Sequence, residues 1–353
     1  MPNACPIDLL RRIAVPLLSL LLSACSTIDY YAHLSQGQWQ LLHAREPVQR
    51  LLEDPATDPD LARRLALSQQ ARDFASTQLQ LPENRSYRLY ADLGRPFVVW
   101  NVFATPEFSL EPELHCFPIA GCVAYRGYYQ QGRARGAAAL LRQQGLDTYI
   151  GGVEAYSTLG WFDDPLLNTM LRWSDERFIA VIFHELAHQQ YYLPGDTAFN
   201  ESFATFVERE GLRQWHAARG EAPPASDDRQ RQQFVELVLA SRERLRQLYA
   251  SDLPEKAMRA AKQAEFERLR RDYRALRQRE WGGQGRYDAW IESPLNNAKL
   301  LPFGLYDQWV PAFAALLEQH GRDWRAFYAA VAALGRLPDA DRRARLEGLL
   351  PTN

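Results

Sequence analysis

The sequence predicts an α+β protein that is mainly helical. From residue 174 onward, apolar side chains recur three and four positions apart almost without interruption, the repeat of helices that bury one face. The same spacing occupies 31–52 and 59–79, on either side of the turn signal Asp54-Pro-Ala-Thr-Asp58. Between these helical regions lie short runs rich in β-branched and aromatic residues, the clearest at 97–103, which read as strands.

In chain order, helices at 31–52 and 59–79 are followed by strands at 97–103 and 123–129. A helix at 133–144 precedes short strands at 148–150 and 153–159. Two strongly charged helices, about 227–250 and 254–279, form an antiparallel hairpin turning at Ser251-Asp-Leu-Pro254, and their charge runs read as solvated faces. Gly282-Gly-Gln-Gly285 is a loop and not a phosphate cradle, since no strand leads into it and no Lys-Ser/Thr follows. Helices at 311–317 and 324–334 are expected to pack back on the core.

Composition narrows the class. The 353 residues are 46% hydrophobic and 24% charged with a formal net charge of −2, as in a folded chain with a core. A disordered tail, a collagen-like fibre and a disulfide-dense miniprotein are excluded. No basic excess points to nucleic acid. Only three of the 41 basic residues are Lys, which reads as a coding bias and not as an anion site.

The N-terminus has its own logic. Arg11 and Arg12 precede the apolar run 13–22 and then Ser23-Ala-Cys25-Ser26. A positive segment, about ten apolar residues and a small-residue cleavage site form a secretory signal, too short to cross a bilayer of about 30 Å. Leu22-Ser-Ala-Cys25 resembles the lipobox of bacterial lipoproteins. That resemblance implies a signal peptide at 1–24 and a lipid-bearing Cys25, where two or three acyl chains would hold the chain stably at a membrane. Ser26 after the Cys favours the outer membrane, so the expected location is the bacterial cell envelope, on the periplasmic side. In that oxidising compartment Cys116 and Cys122 are expected to form a disulfide across a turn at Pro118 and Gly121. Cys-x5-Cys has the wrong spacing for a zinc ribbon.

The chemistry concentrates at 178–188, Phe-Ile-Ala-Val-Ile-Phe-His184-Glu185-Leu-Ala-His188, on an apolar helix starting near Ser174. Two His four positions apart turn through about 400°, so their imidazoles share one face about 6 Å apart along the axis. That suits two neighbouring positions on a tetrahedral Zn2+ with Zn–N of about 2.0–2.1 Å. Glu185 lies about 100° round the helix, turned from ligation towards the point where an attacking water needs a base. A third ligand should come from the next helix. After Pro194-Gly195-Asp196 stops the first, Asn200 reads as an N-cap, followed by Glu201 and, seven positions on along the same face, Glu208.

Phe199-Asn-Glu-Ser-Phe-Ala204 resembles the Asn-Glu-Gly-Phe-Ala segment of gluzincin aminopeptidases, whose Glu is the third zinc ligand. By that resemblance Glu201, with Glu208 as competitor, completes a site for one Zn2+. The stretches Ala155-Tyr-Ser-Thr-Leu-Gly-Trp-Phe-Asp-Asp-Pro165, Ile182-Phe-His-Glu-Leu-Ala-His-Gln189 and Gly195-Asp-Thr-Ala-Phe-Asn-Glu201 together resemble the bacterial "predicted aminopeptidase" family over nearly the whole mature chain. The resemblance implies a zincin-like metallopeptidase fold, with a small sheet packed on the HExxH helix, and a single catalytic domain over 25–353. It implies a peptide substrate, Glu185 as base, and a hydroxyl donor to the oxyanion, for which Tyr306 and Tyr156 are candidates. Zincins hold the substrate as an added strand on a sheet edge, here expected at 153–160. Gly151-Gly-Val-Glu-Ala155 is similar to the Gly-x-Met-Glu-Asn strand of gluzincin aminopeptidases, which makes Glu154 the candidate for the substrate's free amine. Asp163 and Asp164 are further carboxylates for it. The expected function is zinc-dependent peptide hydrolysis, with an aminopeptidase foremost. The alternatives are an amidase or endopeptidase on cell-wall peptides, and a non-enzymatic lipoprotein with a structural metal. An intact Glu185 speaks against the last, since a structural site needs no base.

Overall fold

Helix breaks earlier near the N-terminus than the periodicity predicts. The computed structural model describes residues 27–117, 121–155, 157–222, 227–303 and 308–350. The expected signal peptide, Cys25, Pro118, Tyr156 and Tyr306 lie outside the described residues. The chain divides into two units, residues 1–45 and 46–353. In the first, helix α1 covers residues 27–43. The chain then leaves the helix at β1 (Arg45–Pro47) and resumes as α2 (Val48–Glu53). Pro47 is the cause: its ring fixes φ, here −60°, with ψ at 128°, and it biases Glu46 towards extended backbone.

Further on, the local signals hold. α3 (Pro59–Thr77) starts where Asp58 accepts from the backbone N–H groups of Asp60 and Leu61, with Pro59 in the first turn. The following segment wraps round the buried guanidinium of Arg72, which donates to the carbonyls of Pro82 (2.6 Å), Asn84 (3.2 Å) and Ser86 (3.0 Å). β2 (Leu89–Ala91) comes next, then β3 (Val99–Pro106) and the hairpin of β4 (His115–Phe117) and β5 (Gly121–Val123). Cys116 and Cys122 stand opposite each other in that hairpin and are disulfide-bonded, as expected. β6 (Tyr125–Tyr128), α4 (Gln131–Gln143) and β7 (Leu146–Val153) follow. β3 is the centre of an antiparallel sheet, with β6 on one side and β7 on the other, while β8 (Leu166–Leu167) pairs in parallel with β2.

Among the described residues, the strand expected at 153–159 does not extend past Val153. β7 absorbs 148–150 and ends at Val153. Beyond it, the Asp164 carboxylate accepts from Thr158 N (2.9 Å), Thr158 Oγ1 (2.7 Å) and Ser157 Oγ (3.2 Å). These side chains compete with a ladder for the backbone. Leu159 and Gly160 adopt φ of 56° and 81°, in the left-handed region, which no strand accommodates.

α5 (Asp175–Gln190) begins at Ser174, whose side chain accepts from Arg177 N, and pairs with α6 (Thr197–Ala218) across the turn 191–196. α6 starts four residues before the predicted point. Asp196 is its N-cap, and Asn200 instead clasps the turn, with Oδ1 accepting from Leu193 N (2.8 Å) and Nδ2 donating to Leu193 O (2.7 Å). α7 (Asp227–Tyr249) and α8 (Glu255–Glu280) form the expected antiparallel hairpin around Phe234, Val238, Leu245, Phe266, Leu269 and Tyr273. The short α9 (Asp288–Glu292) and α10 (Asn297–Leu300) lead to α11 (Val310–Gln319), α12 (Trp324–Gly335) and a further helix, α13 (Asp339–Glu347). The protein is α+β and mainly helical, 59% helix. The sheet of β3, β6 and β7 packs chiefly on α4 and α10, and α5 packs chiefly on α3 and α6. Glu154, which follows β7, links this sheet to the motif helix by accepting from Trp173, just before α5, and from Arg177 in its first turn.

Candidate metal centre

α5 buries Phe178, Ile179, Ile182, Phe183 and Leu186 along one side, which leaves Glu185 and the two motif His to the other faces. His184 and His188 turn their Nε2 atoms towards each other, 3.1 Å apart. From α6, Glu201 Oε2 stands 3.4 Å from His184 Nε2 and 3.8 Å from His188 Nε2. A four-coordinate zinc with bonds of about 2.0–2.1 Å sets its ligands about 3.3–3.4 Å apart. The three donors therefore sit near the corners of one face of such a tetrahedron. Among the described residues this is the group of His, Cys, Asp or Glu placed to hold a metal ion.

Electrostatics makes the same demand for a cation. His184 Nδ1 lies 3.0 Å from Glu208 Oε2, so each nitrogen of this imidazole faces a carboxylate. Burial works against a charged His184, yet the hydrogen bonds to Glu201 and Glu208 hold its pKa well above the usual imidazole range. Burial also opposes the charged form of Glu201 and Glu208. Hydrogen bonds with His184, and for Glu201 also with His188, nonetheless pull both carboxyls below their ordinary range. The pocket stabilises positive charge between its donors, and a bound metal would take the place of the proton there.

The sequence left Glu208 as a rival to Glu201; the geometry separates them. Glu201 joins the face shared by both Nε2 atoms, and Glu208 sits behind His184, where it can fix the Nδ1–H tautomer and leave Nε2 for an ion. The sequence showed only that the two carboxylates, seven apart, share one helical face; that they bracket an imidazole of the preceding helix emerges from the packing of α5 on α6. Glu185 adjoins this cluster, and among the described residues it has no hydrogen-bond or ion-pair partner. Burial, first, and the carboxylates of Glu201 and Asp164 raise its pKa, against the lowering influence of His184 and His188. Tyr192, which sequence reasoning passed over, places its ring 6.4 Å from that of His188.

The carboxylates considered for a substrate amine are already engaged. Glu154 Oε2 accepts from Trp173 Nε1 (2.8 Å) and Arg177 Nη2 (3.2 Å). Asp163 lies 3.6 Å from Arg85, and Asp164 caps the loop before it. The candidate donors Tyr156 and Tyr306 lie outside the described residues.

A mainly helical α+β fold with two imidazoles and a carboxylate converging from adjacent helices defines a candidate metalloprotein centre. Residues 29–346 match the Aminopep family, described as "Putative aminopeptidase", and the chain belongs to that family, the one its motif segments resemble. Membership supports peptidase activity at that coarse level. No curated protein and no solved structure matches the chain.

Proposed function

We propose that the protein is a zinc-dependent peptide hydrolase of the bacterial envelope, foremost an aminopeptidase, in which His184, His188 and Glu201 hold one Zn2+. The observation that carries this reading is the donor triangle of 3.1, 3.4 and 3.8 Å. A zinc ion held there supplies a Lewis acid that acidifies water and polarises a peptide carbonyl. Glu185 takes the proton of the attacking water and returns it to the leaving amine, a task suited to a buried carboxylate whose pKa is raised and which has no hydrogen-bond or ion-pair partner among the described residues. Glu208 orients His184 through Nδ1. A signal peptide over 1–24 and acylation of Cys25 would anchor the catalytic residues 25–353 on the periplasmic side of the outer membrane. The lipobox resemblance supports this, as does the Cys116–Cys122 bridge, which suits an oxidising compartment.

One observation favours a second reading, an endopeptidase or amidase on cell-wall peptides. Glu154 accepts from Trp173 and Arg177 through Oε2 and faces Arg172 at 3.8 Å through Oε1, so its charge is already matched by the protein's own cations. Purified wild type, Glu185→Gln, Glu201→Ala and Glu208→Ala separate the possibilities through zinc content and hydrolysis of aminoacyl-arylamides and muropeptides. Wild type and Glu185→Gln should each carry about one zinc, with hydrolysis in the latter reduced by about 10²–10⁴-fold. Zinc lost from Glu208→Ala but retained by Glu201→Ala overturns the ligand assignment. Undiminished activity in Glu185→Gln leaves the metal a structural role.

A further inference from the structure

We propose that Trp161 and Phe162 form a ledge on which the site seats a large apolar side chain of its peptide substrate; the inference rests on the peptidase reading above. Both side chains stand in solvent, 70% and 47% exposed, and neither makes a ring contact among the described residues. The backbone under them is nevertheless fixed. Trp161 N donates to Thr158 O (3.1 Å), and Phe162 N donates to Thr158 Oγ1 (3.1 Å), which itself donates to Asp164, a residue only 2% exposed. The left-handed φ values of Leu159 and Gly160 make the reversal that brings the aromatic pair to the tip.

The loop meets α5 one residue beyond His188. A Cβ on Gly160 would lie 3.7 Å from Gln189 Oε1. Gln189 in turn donates to Ser86 Oγ (3.2 Å) and accepts from Asn84 Nδ2 (2.8 Å), which ties the loop's floor to the segment clamped by Arg72. Gln189 follows the proposed ligand His188 and lies one helical turn from Glu185, so the loop that carries the aromatic pair meets α5 next to the proposed base. Two aromatic rings, each able to cover about 150–250 Å² and carried on a fixed backbone with only two side-chain torsions apiece, offer contact area at modest ordering cost on binding. The substrate class this selects is a peptide with Leu or Phe next to the scissile bond.

The test uses the zinc-loaded full chain as wild type, Trp161→Ala, Phe162→Ala and Trp161→Phe. Matched free and N-acetylated Leu-Gly-Gly and Ala-Gly-Gly are assayed for hydrolysis and for their effect on tryptophan fluorescence. Zinc content and binding to vesicles of anionic phospholipid are measured alongside. Wild type should prefer the Leu peptide by about tenfold in kcat/KM. Both Ala variants should lose most of that preference through KM, with zinc and turnover of the Ala peptide retained, and Trp161→Phe should restore it. Equal preference in wild type and both Ala variants overturns the proposal. So does vesicle binding that disappears in Trp161→Ala while peptide selectivity stays the same, which would make the tip a membrane contact. If wild type hydrolyses neither peptide, the peptidase reading fails separately and fluorescence decides the ledge. A shift caused by the Leu peptide alone and absent from Trp161→Phe supports it; equal responses to both peptides overturn it.

Discussion

His184 carries more of the site's logic than any other side chain, because each of its ring nitrogens faces a different carboxylate of α6. The motif spacing made His184 and His188 legible as a pair, since positions four apart share a helical face whatever the rest of the fold does. It did not reveal which nitrogen meets which carboxylate. That depends on how α5 and α6 are rotated against each other, so the division of labour between Glu201 and Glu208 became visible only in three dimensions. A partner on Nδ1 fixes the tautomer and strengthens the donor on Nε2, which gives Glu208 a measurable role without ligation. Glu208→Ala should still bind zinc at one site, with affinity about 10–100-fold weaker than wild type in competition against a fluorescent chelator. Unchanged affinity would mean that Glu208 does nothing for the ion.

At the scale of elements, the site requires α5 and α6 to come close, and α6 permits it with a glycine. A Cβ on Gly211 would lie 2.9 Å from Phe183 Cδ2 and 2.7 Å from Leu79 Cδ1. Phe183 is fully buried and precedes His184 in α5, so its ring has little room to yield. Gly211→Val should lower stability by about 1–3 kcal/mol through overpacking, despite a few tenths regained from helix propensity, and should loosen zinc binding. Gly136→Ala in α4 meets nothing within 4 Å and should be neutral or stabilising, by up to about 1 kcal/mol. Urea midpoints of the two variants would show whether contact or propensity governs. The elements themselves were legible where one local signal ruled alone, as with the helix starts after the turn ending at Asp58 and at Ser174. They were misread where two local signals competed. Asp196 and Asn200 are both capping residues, and the choice fell to Asp196 because Asn200 is occupied by Leu193. The residues after Val153 have strand-forming side chains, but Ser157, Thr158 and Asp164 form a hydrogen-bonded loop of their own.

Across the unit formed by residues 46–353, the far end of the chain supports the metal helices. Phe199, Phe203 and Phe206 on the back of α6 pack against α11 and α12, with ring centroids 5.2 Å apart for Phe199–Phe313 and 5.3 Å for Phe206–Phe327. α13 then sends Arg342 to Asp196, the N-cap of α6, through Nε (3.1 Å) and Nη2 (2.8 Å). Arg342 is 8% and Asp196 19% exposed in their side chains, so water screens this pair weakly. The carboxylate that caps the Glu201 helix is thus held by a residue 146 positions away, a dependence no local sequence signal discloses. Arg342→Met keeps the buried stem but removes the guanidinium, leaving Asp196 without its cation. The expected loss is about 2–3 kcal/mol of stability, read from urea unfolding, with zinc affinity lowered and stoichiometry kept at about one. Arg345→Met, at an exposed position of the same helix, should stay within about 0.5 kcal/mol of wild type. If the two variants behaved alike, the C-terminal helices would be packing neighbours of the site and not its support.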